Sequence, residues 1–197
     1  MEIRASKCKL CRRLNTKLFL KGERCYTEKC SFQKRVSRTF RGAEKLSTYG
    51  QQLREKQKLR CIYGLSEKEL KKYYQKGGKE LLTLLERRLD RVVFLLGFSL
   101  SLSQARQLVV HGHFLVNGRK VDIPSYLVKE GDVIEVRKES KKLPVMKQIL
   151  EISEKRVVPE WLEVNRGSLS GKVKRLPLSE EVRQDISLPL IIAFYSR

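Results

Sequence analysis

The sequence predicts an α+β protein in two parts: a mostly helical N-terminal domain, and an inserted helix–helix–hairpin module with a small antiparallel sheet. Three observations predict it. Leu81, Leu85, Leu89, Val92 and Leu96 recur at helical spacing, so 79–96 reads as an amphipathic helix. Asn117-Gly118 sits between His113-Phe114-Leu115-Val116 and Arg119-Lys120-Val121, and that dipeptide supplies the two positive-φ residues of a type I′ hairpin turn. The chain closes on Leu188-Pro189-Leu190-Ile191-Ile192-Ala193-Phe194-Tyr195, an apolar tail that must be buried, and the N-terminal helices are its natural cover.

The first 30 residues hold Cys8, Cys11, Cys25 and Cys30 as C-x2-C, thirteen residues, then C-x4-C. Two close cysteine pairs across a short loop have the spacing of a tetrahedral zinc site. Lys9, Arg12, Arg13, Lys21, Arg24 and Lys29 lie among them and favour the thiolates that bind metal. Two disulfides are the alternative, but MEIRASKCKL lacks the apolar stretch of a secretory signal, so a reducing compartment is expected. A redox C-x2-C normally opens a helix after a buried strand, and no strand pattern precedes Cys8. Four thiolates can also hold an iron–sulfur cluster, the second choice after zinc. Cys61 has no close partner and reads as a spare thiol.

The remaining elements follow in order. Residues 1–45 form the zinc knuckle and a basic extension, SFQKRVSRTFRGAEK, which reads as a loop. Ser47 to about Tyr63 reads as a helix with Arg54 and Lys58, and Lys56 and Arg60, at i, i+4. Only Glu55 offsets them on that helix, so the face is expected to meet an anion. Ser66-Glu67-Lys68-Glu69 is a capping box, Leu65 and Leu70 can staple it, and Gly77-Gly78 stops the helix. Ser103 is placed to cap a helix SQARQLVVHG, ended by Gly112. Lys129 to Asp132 is a turn into a strand over 133–136. A helix over 144–154, a strand over 161–164, a loop over 165–171 and a short helix from Ser179 to about Asp185 complete the chain. The domain reading is 1–45 for the knuckle, 46–86 with 177–197 for the helical domain, and 87–176 for the second domain, whose module spans about 87–150.

Composition narrows the partner. Lys+Arg total 43 against 22 Asp+Glu, a formal net charge of +21 on 197 residues. Such a surplus costs self-repulsion that a polyanion relieves. No apolar run approaches the ~20 residues that span a bilayer, and the charge is spread along the chain rather than on one membrane-seeking helix face. Nucleic acid is the expected partner, with binding that weakens steeply as salt rises.

The words LLERRLDRVVFLLGF, SQARQLVVHGHFLVNGRKVDIPSY and VKEGDVIEV resemble the RNA-binding module named after small-subunit ribosomal protein S-four. CKLCRR, LKGERCYTEKC, YGQQLREKQKLRCIYGL and the terminal FYSR extend the resemblance to the bacterial-type family of that ribosomal protein, in its zinc-binding version, over essentially the whole chain. The resemblance implies a structural, non-enzymatic protein of the small ribosomal subunit. It implies direct binding to small-subunit ribosomal RNA at a multi-helix junction of the 5′ domain, nucleation of assembly, and a contribution to translational accuracy near the messenger entry site. The implied partners are that RNA, neighbouring small-subunit proteins and, as a further candidate, messenger RNA, with no membrane and no small-molecule substrate. The implied location is the cytoplasmic ribosome of a bacterium, with an organellar ribosome as the alternative. Against the family pattern, the basic loop after Cys30 is short, Leu102 and Val110 stand where arginines are usual, and Ala193 stands where glutamate is usual.

Candidate RNA-binding residues are Arg12, Arg13, Lys21 and Arg24 on the knuckle and Arg54, Lys56, Lys58 and Arg60 on the first helix. On the module they are Ser103, Gln104, Arg106, Gln107, His111, His113, Asn117, Arg119 and Lys120. Arginine suits bidentate phosphate contact, and Ser, Gln and Asn reach sugars. Two other classes fit these residues less well. A zinc-containing DNA regulator needs a recognition helix set by the knuckle or a dimer seam, and neither is visible. An RNA-modifying enzyme needs an acid, a nucleophile or a Gly-rich phosphate loop, and Asp90, Asp122, Asp132 and Asp185 read as turn or surface carboxylates.

Overall fold

The computed structural model describes residues 6–33, 46–153, 156–182 and 185–196. The chain divides into two compact units, Met1–Leu81 with Arg183–Arg197, and Leu82–Val182. Most of the basic extension expected after Cys30, residues 34–45, lies outside the described residues.

In the first unit, α1 (Lys7–Arg13) carries Cys8 and Cys11 and a 3₁₀ turn (Gly22–Cys25) carries Cys25, with Cys30 beyond it and Leu10, Leu14 and Leu18 buried. Helix α2 (Thr48–Tyr63) begins where Ser47 accepts a hydrogen bond from the Gly50 N–H and ends at Gly64, whose φ of 62° supplies a left-handed cap. Helix α3 (Glu67–Gly77) opens on the full capping box: the Glu69 N–H donates to Ser66 Oγ and the Ser66 N–H to Glu69 Oε2. Leu65 and Leu70, the two staple positions, are fully buried.

The second unit departs from the sequence reading at three points. The stripe over 79–96 is two helices, α4 (Leu81–Glu86) and α5 (Leu89–Leu95), rather than one. Arg88 between them is extended and bridges Leu127, the Arg87 carbonyl accepts from the Val128 N–H, and the Leu89 N–H donates to the Tyr126 carbonyl. Helix α6 (Leu102–Val110) is capped by Ser101, which accepts from the Gln104 N–H, so Ser103 is not the cap. The loop expected over 165–171 is shorter, a turn over 166–169, because Asn165 ends one strand and Ser170 and Gly171 open another. Strands β1 (Phe114–Val116), β2 (Arg119–Lys120), β3 (Val133–Val136), β4 (Leu162–Asn165) and β5 (Ser170–Val173) form one antiparallel sheet in the order β2-β1-β3-β5-β4. Asn117 and Gly118, at φ 50° and 76°, make the predicted turn between β1 and β2. The short helix α7 (Lys138–Lys141) and α8 (Pro144–Ser153) follow β3. The core joins Leu89, Val92, Val93, Phe98, Ala105, Val109, Phe114, Ile134, Val136, Trp161 and Val173.

Residues 179–182 form turns in place of the expected helix, with 183–184 outside the described residues. The apolar tail is α9 (Leu188–Tyr195), and it packs on α2. Tyr195 stacks on Tyr74 with centroids 4.6 Å apart, Phe194 meets Tyr49 at 5.9 Å, and the Tyr195 hydroxyl donates to Glu67.

Candidate nucleic-acid interface

Residues 6–33 present most of the predicted cations outward. Arg13, Lys21 and Arg24 are exposed, while Arg12 is half-buried and donates from Nε to the Cys8 carbonyl. Cys11, Cys25 and Cys30 are buried and Cys8 partly so. Burial pushes the Cys11 thiol up, and the negative forms of Cys25, Cys8 and Cys30 push it further, so the four sulfurs share one electrostatic neighbourhood. Cys8 is pulled down by a hydrogen bond from Ser31 and by Lys21 and Arg24, against the effect of its own burial. The Lys21 N–H donates to Cys25 Sγ at 3.4 Å, the kind of contact that stabilises a thiolate. Among the described residues no three Cys, His, Asp or Glu side chains are drawn into a metal-holding arrangement. What the thiols do share is chemistry that a thiophilic cation uses: cations lower one of them and an N–H donates to another.

The expectation of an outward cationic face on α2 is corrected at three of its four positions. Lys56, Lys58 and Arg60 are buried, at 6%, 8% and 7% exposure, and Arg54 is half-buried. The countercharge that α2 lacks comes from Glu67 on α3: Lys56 Nζ lies 2.8 Å from Glu67 Oε1 and Arg60 Nη1 3.0 Å from Oε2. Lys56 also sits 4.1 Å from the centre of the Phe194 ring, and Lys58 pairs with Glu55 and donates to the Asp185 carbonyl. These cations hold α9 and α3 to α2 rather than facing a ligand.

On the module the predicted residues separate into outward and inward groups. Ser103, Gln107, His111, Asn117, Arg119 and Lys120 are exposed and Arg106 is half-buried. Gln104 is turned to the backbone, its Oε1 accepting from the Leu100 N–H at 2.8 Å. Asn117 is a turn brace: Nδ2 donates to Asp132 Oδ1 and Oδ1 accepts from the Val133 N–H. His113 bonds through Nδ1 to Ser140 Oγ at 2.9 Å, and burial, then His111 and Arg137, hold its pKa below the usual histidine range. Lys120 lies across Gly112, whose φ is 71°; a Cβ there would come within 2.2 Å of Lys120 Cε. Arg137 was missed. Its Nη1 donates to the Gly112 carbonyl beside both histidines, and its place directly after β3 was the available signal.

Of the carboxylates read as turn or surface groups, Asp90 needs correction, while Asp132 lies at its turn as read and Asp122 and Asp185 are exposed. Asp90 is buried and takes a bidentate bond from Arg88, at 3.0 and 2.7 Å, and Asp132 is buried at the turn, accepting from the Lys129 N–H. Arg91 pairs with buried Glu86 at 2.7 Å. Each is an internal brace. No helix among the described residues is long and apolar enough to cross a membrane.

A family model described as the ribosomal protein S4/S9 N-terminal domain matches residues 2–92, and one described as the S4 domain matches residues 87–134. The small ribosomal subunit protein uS4 of Thermodesulfovibrio yellowstonii is 50% identical over 98% of this chain and 97% of its own length. Those of Geotalea daltonii and of a Thermoanaerobacter species are 48% and 50% identical, each over 96% of both chains. Two family models that together span the cysteine-bearing segment, the first helices and the module, and relatives matched end to end at about half identity, place this chain in the uS4 family of small ribosomal subunit proteins.

Proposed function

We propose that this chain is a structural protein of the small ribosomal subunit that binds its ribosomal RNA directly, at a multi-helix junction of the 5′ domain. It nucleates subunit assembly there and contributes to translational accuracy near the messenger entry site. The observation that carries this reading is the end-to-end likeness to proteins named small ribosomal subunit protein uS4. The chemistry agrees. A-form RNA hides its deep major groove, so a protein reads backbone shape, 2′-hydroxyls and unpaired bases. Arg106, Arg119 and Lys120 offer phosphate donors on a rigid helix-and-hairpin frame, and Ser103 and Gln107 offer groups for sugars. Neighbouring small-subunit proteins and messenger RNA are the further partners in this reading, and the location is the ribosome in the cytoplasm.

Cys8, Cys11, Cys25 and Cys30 would hold zinc, which supplies a structural cross-link where residues 6–33 have only a few buried leucines for a core. Filter binding of the full chain to small-subunit ribosomal RNA across a salt series, with transfer RNA and duplex DNA as competitors, tests the proposal. Tight binding that survives both competitors, with affinity falling by orders of magnitude as salt rises, is expected for ~6–10 phosphate contacts. Equal loss to any polyanion would overturn it, because net charge alone would then explain the binding.

A further inference from the structure

Residues 6–33 carry a feature that neither the thiols nor the cations account for. Phe19 and Tyr26 stack with centroids 4.9 Å apart and ring planes 29° apart. A mini-core would cover both rings, yet Tyr26 is 72% exposed and Phe19 37%. A ring stacked on one face and still that exposed has its other face open to solvent. The backbone is bent to achieve this. Phe19 has φ 53°, a region that bulky side chains rarely occupy and that costs local strain. Strain spent to bring an aromatic ring to the surface is not explained by packing.

The platform is also fixed in place. The Tyr26 N–H donates to the Glu23 carbonyl at 2.8 Å, closing the 3₁₀ turn that ends at Cys25, and Cys25 is itself tied to the Lys21 N–H. On the other ring, Lys17 Nζ lies 5.2 Å from the centre of Phe19. Residues 6–33 hold five lysines and three arginines against two glutamates. A rigid open aromatic face among cations matches how proteins hold single-stranded nucleic acid: bases stack on the rings while the cations track phosphates.

We propose that Tyr26, backed by Phe19, is a stacking platform for one unpaired nucleobase of the bound RNA. The inference rests on the RNA-binding reading above and adds to it a contact of a different kind, with a base face instead of a phosphate or sugar. Stacking carries no counterion release, so its loss leaves the salt dependence of binding unchanged, whereas loss of a phosphate contact flattens it.

The test uses the full chain and small-subunit ribosomal RNA in a filter-binding salt series. Tyr26→Leu keeps apolar bulk and removes the π face; it is expected to weaken binding about 5- to 150-fold with the salt slope unaltered. Tyr26→Phe restores the face and is expected to bind within about twofold of wild type, the stacking energy being a property of the ring. Tyr26→Trp adds an independent signal, because the native tryptophan, Trp161, is buried in the other unit. Emission at position 26 should be quenched by RNA beyond any change that the wild type shows. Wild-type binding with an unaffected Tyr26→Leu overturns the platform alone. So does a Tyr26→Phe as weak as Tyr26→Leu, or the absence of quenching. Failure of the wild type to prefer the ribosomal RNA overturns the RNA-binding reading and the platform with it.

Discussion

Asp90→Ala should destabilise the second unit severely. Arg88 and Asp90 are each 1% exposed, and two hydrogen bonds of 3.0 and 2.7 Å join guanidinium to carboxylate. Removing the carboxylate takes the bidentate acceptor from a buried cation, a change that costs roughly 3–5 kcal/mol. A unit of on the order of 100 residues has about 5–15 kcal/mol to lose. At about 4–8 °C per kcal/mol, the melting temperature of this unit should fall by at least roughly 12 °C. Trp161 is buried in the same core, so its fluorescence in a urea titration reports this unit specifically. The pair is not expected to be worth that much as a pair. Replacing both residues together, as Arg88→Met with Asp90→Leu, removes the desolvation cost along with the attraction and should recover most of the loss. A single variant within about 0.5 kcal/mol of wild type would refute the reasoning, because solvent or other partners would then satisfy Arg88 without Asp90.

Three further outcomes follow from other parts of the chain. Burial raises the pKa of Glu67, but Lys56, Arg60 and Tyr195 outweigh it and hold the folded value below the ordinary carboxylate value, so its contribution is present above about pH 4.5 and is lost as pH falls through the depressed folded value; hydrogen exchange in α2 and α9 should show this loss, and Glu67→Gln should remove the pH dependence. Chelation with a strong zinc ligand should loosen residues 6–33 while leaving Trp161 emission and most helical circular dichroism intact, since the larger core lies in the other unit; global unfolding would contradict it. Gly112→Ala should cost about 1–2 kcal/mol for its positive φ and push Lys120 off its seat, weakening RNA binding beyond what the stability change explains; unchanged affinity would remove Lys120 from the contact surface.

Local signals in the sequence predicted local structure well. Ser66 with Glu69, and Asn117 with Gly118, each carry the chemistry of their cap or turn within four residues, so no distant contact was needed to read them. Two of the misreadings share one cause: a partner far away in sequence. Leu81 to Leu96 has helical period throughout, but Arg88 leaves the helix to bridge Leu127, and period alone cannot see that bridge. Strand β5 is disguised by Gly171, which looks like a loop residue. A Cβ there would fall 2.5 Å from Leu96, so glycine is what lets the strand lie against α5 and its C-terminal end.

The cations of α2 show why net charge locates a partner class better than a contact surface. A surplus of +21 makes a polyanion the expected ligand wherever the individual charges sit. It says nothing about which lysines are free. Lys56 and Arg60 looked available because acids are scarce on their own helix, yet one glutamate eleven residues beyond Lys56 engages both. A half-buried cluster of this kind contributes fixed geometry: Glu67 joins α2 to α3 and, through the Tyr195 hydroxyl, to the C-terminal helix. The consequence for mutational mapping is specific. Lys56→Ala or Arg60→Ala will weaken RNA binding only through the fold, so the loss should track stability and leave the salt slope unchanged. Arg106→Ala or Arg119→Ala, on the outward face of the module, should lower the slope by about one without unfolding the chain. Measuring slope and stability together therefore separates the cations that hold this protein from the cations that hold its RNA.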